Sequence, residues 1–363
     1  MTAQPGAAFL INRDDLRQTR ADPVDPPRSP KDGEITLNVE KFGLTANNIT
    51  YAVFGQAMRY WDFFPGPEGW SHLPVWGFAE VLESKVSGIN AGERFYGYYP
   101  TSTYATFSVD PTGSGFTEVS KHRQGLAGAY NQYLRTTDDA AYDPEYENEQ
   151  MIIRPLFMTS FLLADFLQVN ETFGAKTVII SSASSKTALS LAFLLSRHPR
   201  KPEVVGLTSQ SNASFCKQTG YYDSVVPYEQ VATLPRVDSA YVDMSGSSTI
   251  RAAVHNHLGD LLQHSSGVGA THWEDNRPTE ALPGPPPAFF FAPNHMSKRA
   301  ADWGEGGLHQ HFATAWKDFR GTLKAWMQVI EEQGPEALQK RYLELLEGHT
   351  NPAHAHILSL ASG

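Results

Sequence analysis

TVIISSASSKTALSLAFLL, from Thr177 to Leu195, changes character twice within a short span. Thr177-Val178-Ile179-Ile180 is apolar and rich in β-branched residues, which suits a strand buried on both faces. From Ala188 onward, Leu189, Leu191, Ala192, Leu194 and Leu195 predict a helix with one broad apolar side. The residues between them, Ser182 to Thr187, are small or polar and form a strand-to-helix turn. Such a turn aims backbone N–H groups and the positive end of a helix at one point, where phosphate is the natural guest.

Three readings of the turn stand side by side. As a Walker A loop it would run from Ile180 to Thr187 with Lys186-Thr187 as the lysine and hydroxyl pair. Ile180 and Ser185 then occupy the glycine positions, and without glycine the loop does not readily take the φ > 0 geometry that wraps a phosphate. As a dinucleotide turn it places Ser182, Ser185 and Ala188 at the small-residue positions of an AxxGxxG-type fingerprint. The third reading is a βα turn that binds nothing.

The downstream sequence favours the dinucleotide reading. Val204–Leu207, Ser224–Val226, Ser239–Asp243, Gly259–His264 with Gly267-Val268-Gly269 at its end, and Ala288–Phe291 read as strands. Helices are expected at Asn212–Thr219 and Ile250–Leu258. Alternating units of this spacing specify an α/β fold, a Rossmann doubly wound parallel six-stranded sheet whose first crossover is the turn at Ser182.

Length and composition bound the rest. The 363 residues suit two domains, and 41% hydrophobic with 19% charged residues describes a globular chain without a run of about 18 apolar residues. A net charge of −10 argues against a nucleic-acid partner. The first residues lack the basic and apolar regions of a signal peptide. The one cysteine, Cys216, rules out an internal disulfide and fits a reducing, cytoplasmic setting. We therefore expect a small-molecule substrate, no nucleic acid and no membrane.

The first 110 residues read as strands and turns. Glu34–Glu40 alternates polar and apolar side chains, and Leu73–Ser84, Phe95–Tyr99 and Tyr104–Val109 continue the series, which indicates an antiparallel barrel-like domain. The order GEITLNVEKFGLTANNITYAVFG, then LPVWGFAEVLESKVSGINAGERFYGYYPTSTYATFSVDP, resembles the GroES-like catalytic domain of the medium-chain dehydrogenase/reductase superfamily, in its zinc-free quinone oxidoreductase branch. Ala91–Gly97 and Tyr104–Phe107 stand where that family has its "GDRV-G" turn and "Y-A-E-Y" strand. The resemblance implies a mostly-β catalytic domain over residues 1–150 with a C-terminal return at 298–363, and a cofactor domain at 151–297. It also implies a homodimer. Gly125–Gln150 departs from the family pattern and reads either as a solvated linker with aromatic pins or as a substrate lid. Thr159–Leu167 predicts an amphipathic helix before the cofactor domain. Helices are expected around Leu308–Ile330 and at Pro335–Leu346, with a last strand at His356–Leu360.

Site residues follow from the turn and from the resemblance. Ser182, Ala183, Ser184, Ser185, Lys186 and Thr187 form the expected phosphate cradle, with Lys186 either touching phosphate or standing as a solvated lysine. The second strand ends in Thr208, Ser209 and, further on, Asn212, with no acid to hold a ribose 2′-OH, so NADP(H) is favoured over NAD. The resemblance places Tyr228 against the adenosine phosphate and Val268, Gly269, Phe290 and Phe291 near the nicotinamide carboxamide; Ser245 lies in the exit turn of the fourth strand. Cys216 falls outside the domain where zinc relatives carry their ligands, and His72, His122, His255, His257 and His272 are scattered, so no metal is expected. A zinc-free reductase needs a side chain beside the substrate oxygen. Tyr51, with Asn48 or Asn47 nearby, matches the family's substrate-cleft tyrosine, and Tyr130 and Tyr133 are alternatives. The expected activity is NADPH-dependent hydride transfer to a quinone or enone. A redox-inactive NADP(H)-binding sensor or scaffold and a zinc-free alcohol or ketone dehydrogenase are the alternatives.

Overall fold

Apolar residues at alternate positions between glycine and proline turns make the first part of the chain almost entirely strand. The computed structural model describes residues 5–198, 201–268, 281–348 and 350–360. Its first elements are β1 (Gly6–Asn12), β2 (Thr19–Val24), β3 (Glu34–Leu44), α1 (Ala46–Val53), β4 (Trp70–His72), β5 (Pro74–Ser84), β6 (Arg94–Pro100), β7 (Tyr104–Thr112), β8 (Gly115–Glu118) and β9 (Gln132–Arg135). The long helix α2 (Glu147–Val169) follows. Strands and helices then alternate as β10 (Thr177–Ile180), α3 (Lys186–Ser196), β11 (Glu203–Thr208), α4 (Ala213–Thr219), β12 (Ser224–Pro227), β13 (Ser239–Asp243), α5 (Ser248–Leu258), β14 (Leu262–Gly267) and β15 (Ala288–Phe289). The chain ends in α6 (Ala292–Trp303), α7 (Gly307–Leu323), β16 (Gln328–Gln333), α8 (Pro335–Leu346) and β17 (His354–Ser359).

Two compact units result, one of Met1–Ile152, Gln328–Thr350 and His354–Gly363, the other of Ile153–Met327 and Asn351–Ala353. In the first, β3, β5, β6, β9, β8 and β7 pair in that order and β7 returns to β3, so the ring closes; β17 and β16 extend it beside β3. Closure leaves no open edge within the ring. Part of the segment 125–150, read as a linker or a lid, is built into the ring. It supplies β9, paired with both β6 and β8, and Tyr133 within it is 1% exposed. The sequence reading missed this because β9 is only four residues long and its neighbours are acidic.

The second unit has the strand order β12-β11-β10-β13-β14-β15, all parallel. With β10 counted as the first strand this is the 3-2-1-4-5-6 order of a dinucleotide fold. Period-two geometry explains why β10 is apolar throughout. Val178 and Ile180 pack with Leu163, Leu167 and Leu191 on one face, while Ile179 packs with Tyr241 and Val254 on the other. Helix α2, with the turn before it (Pro144–Val169), is long and apolar enough by length and composition to cross a membrane, which the sequence reading did not see. Its Leu162, Leu163 and Leu167 are fully buried in the fold, as in the core helix of a globular unit.

Two other expectations shift. The helix expected to reach Ile330 stops at Leu323, and Gln328–Gln333 forms β16, parallel to β17. The fifth strand begins at Leu262, because Gly259–Leu261 is a 3-10 turn with Gly259 at φ 54. Helices α6 and α7 group with the second unit, so the chain rejoins the first at Gln328. Phe319 of α7 accounts for this grouping, stacked on Phe157 and tilted against Phe193.

Candidate functional site

The turn after β10 is held from every side. Ser182 has φ +51, the left-handed conformation that side chains resist by about 1–2 kcal/mol. The φ > 0 geometry that seemed to demand glycine is therefore present without it. The Ser182 N–H donates to the Tyr228 hydroxyl at 2.9 Å. Ala183 donates its N–H to the Leu207 carbonyl at 2.9 Å and accepts from the Tyr222 hydroxyl at 2.7 Å, which ties the turn to β11. Gly206 of β11 makes room for this approach, since a Cβ there would lie 2.9 Å from Ala183 Cβ.

The hydroxyls have internal duties. Ser185 is the N-cap of α3, its side chain accepting from the Ala188 N–H, and Ser184 Oγ accepts from Asn212 Nδ2 at 3.0 Å. The Lys186 ammonium is not simply solvated. It is half-buried and donates to the Pro352 carbonyl at 3.1 Å, and burial pushes its pKa down to about 8. Thr187 lies on the first turn of the helix, where its carbonyl accepts from Ser160 Oγ.

At the end of β13, Asp243 is 1% exposed. One of its oxygens accepts from Ser181 Oγ at 2.8 Å, Ser245 Oγ at 2.7 Å and the N–H groups of Ser245 and Gly246; the other takes Arg251 Nε at 2.9 Å. This knot joins β10 to β13, the two strands between which the chain reverses its order of addition and where α/β sheets hold their ligands. Sequence reasoning singled out Ser245 but missed Asp243, Ser181 and Arg251. An acid followed by the small residues Ser245 and Gly246 was the available signal. Gly206 was equally readable as an isolated glycine within a strand, the mark of a close backbone approach.

The other expected cofactor residues are spread along the same sheet. Thr208 is buried at the end of β11, and Ser209 Oγ lies 2.9 Å from Ser211 Oγ. Val268 donates its N–H to the Asp243 carbonyl, and Phe290 donates to Gly267. Phe291 caps α6, and its ring lies parallel to that of Phe289. Gly269 lies outside the described residues. Cys216, on α4, is fully buried, and burial pushes its thiol up to about 11.

In the first unit Tyr51, Tyr60, Phe63, Trp76, Tyr98 and Tyr130 form one aromatic cluster. Tyr51 accepts from the Trp76 indole N–H at 3.0 Å, and the hydroxyls of Tyr60 and Tyr130 are 3.3 Å apart. Burial raises all four phenols above the ordinary tyrosine value, so they stay protonated donors. Tyr133 and Asn48 are engaged within the fold. The Tyr133 hydroxyl donates to the Tyr98 carbonyl and accepts from Arg123 within the core. The Asn48 side chain closes the α1 capping box on the Thr45 N–H and donates to the Pro74 carbonyl at 2.9 Å.

A family described as a protein of unknown function, DUF2855, matches residues 42–351, most of the length of this sequence. The chain belongs to the DUF2855 family. No curated protein matches its sequence. Solved structures share the fold of this DUF2855 chain. CurA from Vibrio vulnificus in complex with NADPH is 14% identical, with a TM-score of 0.65 over 98% of this chain and 100% of that one. YhdH from E. coli K-12 with bound NADPH is 12% identical, with a TM-score of 0.58 over 98% and 100%. The Etr1p complex with NADP and crotonyl-CoA is 10% identical, with a TM-score of 0.60 over 98% and 100%. The DUF2855 chain thus shares their fold, with a closed mostly-β unit and a doubly wound parallel sheet.

Proposed function

We propose that this chain is an NADPH-dependent oxidoreductase that reduces a small acceptor whose C=C bond is conjugated to a carbonyl, an enone or a quinone. The left-handed turn at Ser182 carries the reading. It ends the central strand of a 3-2-1-4-5-6 sheet and opens onto the N-terminus of α3, the geometry that receives a pyrophosphate. Gly206 lets the turn lie close, and Thr208, Ser209 and Asn212 bring no carboxylate against a 2′-phosphate. The fold neighbours crystallised with NADPH or NADP support the same cofactor, and the crotonyl-CoA in the Etr1p complex supports an unsaturated acceptor.

NADPH, when bound, supplies the hydride. Ser182–Thr187 and the first turn of α3 would hold its phosphates, with Ser245, Val268 and Phe290 at the neighbouring strand ends and Tyr228 behind Ser182. Tyr51 or Tyr130, kept protonated by burial, donates a hydrogen bond to the acceptor's carbonyl oxygen as negative charge grows there. We propose that no metal takes part, since the lone thiol is a buried, protonated Cys216. A cytoplasmic homodimer is the expected form.

Titration with NADPH and NADH, followed by tryptophan quenching, tests the cofactor; tighter NADH binding overturns it. NADPH oxidation against a panel of enones and quinones tests the reaction. The internal duties of Ser184, Ser185 and Lys186 favour one rival, a binding protein without turnover, and NADPH binding with no oxidation on any acceptor would decide for it.

A further inference from the structure

The turn at Ser182 lacks glycine yet adopts a glycine conformation, so something else must stabilise it. Serine at φ +51 is disfavoured by its own Cβ. The Tyr228 hydroxyl accepts the Ser182 N–H at 2.9 Å and also hydrogen-bonds the Ser182 side chain. Tyr228 begins the turn that follows β12, and its ring packs on the apolar layer formed by Ile179, Leu207 and Tyr241. A rigid ring anchored in the core thus delivers a hydroxyl across the sheet to one strained residue. The next residue, Ala183, is clamped from both sides by Leu207 and Tyr222, and it occupies the space left by the absent side chain of Gly206.

We propose that Tyr228 is a positioning residue that latches Ser182 in the left-handed state, and that Gly206 supplies from β11 the clearance a glycine would give from within the turn. The glycine fingerprint of a dinucleotide site is redistributed here. Its conformational freedom is replaced by a serine–tyrosine pair and its bareness is moved to the neighbouring strand. The inference rests on the cofactor reading above for its purpose, but the latch itself is a property of the protein alone. It predicts that the hydroxyl of Tyr228 is needed only while residue 182 has a side chain.

The test is a double-mutant cycle on the full chain with Tyr228→Phe, Ser182→Gly and the pair together, read by NADPH calorimetry and by thermal unfolding without cofactor. Tyr228→Phe is expected to weaken NADPH binding about tenfold, equivalent to about 1.4 kcal/mol. In the Ser182→Gly background the same change is expected to alter binding by less than about twofold, because glycine takes the left-handed state unaided. Equal losses in both backgrounds would overturn the latch and make Tyr228 a direct phosphate contact instead. If the parent chain binds no NADPH, the cofactor reading fails, and the unfolding cycle alone decides the latch. A larger drop in Tm from Tyr228→Phe in the parent than in the Ser182→Gly chain upholds it; equal drops reject it.

Discussion

Strand β10 is bracketed by two left-handed turns built from residues that avoid that conformation, and the two are held by different means. Below it, Glu171, Thr172 and Phe173 have φ 52, 53 and 57 before Gly174 at φ 79. Above it stands Ser182 alone. In the lower turn, ring packing joins two local backbone hydrogen bonds, from Phe173 to Asn170 and from Ala175 to Thr172: the Phe173 ring lies flat on His264 with centroids 3.8 Å apart and leans on Phe166. The upper turn is held by hydrogen bonds that it donates to Tyr228 and Leu207 and accepts from Tyr222. Packing is non-directional, whereas directed polar contacts set the orientation of the turn that opens onto the N-terminus of α3. The contrast follows the rule that open α/β sheets bind at the carboxyl ends of their strands.

Substitutions at the two turns should therefore separate stability from binding. Phe173→Ala has the largest expected effect, a loss of about 2–4 kcal/mol in urea unfolding, with the folded fraction binding NADPH as the parent does. Binding that falls in step with stability would mean the two turns are not independent. Gly206→Ala comes next. Its new Cβ would meet Ala183 Cβ and the Tyr222 ring at 2.9 and 3.0 Å, and overpacking of this kind costs about 1–3 kcal/mol. NADPH affinity should drop by more than the stability loss explains, as measured by calorimetry beside thermal unfolding.

Lys186 sharpens the upper side through pH. Its pKa of about 8 lies below the ordinary 10.5, so the folded state releases this proton first. The burden on stability is full below pH 8 and is relieved as pH rises toward the ordinary lysine value. If the ammonium meets phosphate, NADPH affinity falls as pH rises through about 8 in the parent but not in Lys186→Ala. A pH profile shared by both would remove lysine from the site. His264 offers the smallest effect, on the lower side. Burial lowers its pKa, so stability is full above pH 6.5 and declines as pH falls below it. His264→Phe should flatten that acid limb in unfolding experiments while keeping a stacking partner for Phe173.

The parts of the molecule that declare themselves in sequence are those governed by periodicity. Thr177–Ile180 showed a strand covered on both faces, and the repeated strand–helix units of the second unit showed the parallel sheet. What stayed hidden depends on contacts between distant residues. Glu171-Thr172-Phe173 contains no glycine, so Gly174 marks a turn without announcing that the three residues before it are also left-handed, and the stacking of Phe173 on His264 is invisible in sequence. The hydrogen bonds of Asn48 and Tyr133 were hidden for the same reason. Each looks available in sequence, and each hydrogen-bonding group is taken by the fold, through Pro74 and Thr45 for the one and Tyr98 and Arg123 for the other. The serine-rich turn was correctly located, yet its hydroxyls serve the helix cap and Asn212.

Cys216 has a bearing on chemical durability. Enones and quinones, the acceptors proposed above, are electrophiles that alkylate thiolates, and an enzyme that handled them would be at risk of modification by its own substrates. A thiol with a pKa of about 11 is ionised to roughly one part in ten thousand at pH 7, and this one is also shielded from solvent. The chain's sole thiol is thus both protonated and buried, which would protect the folded protein from alkylation at that residue by such acceptors.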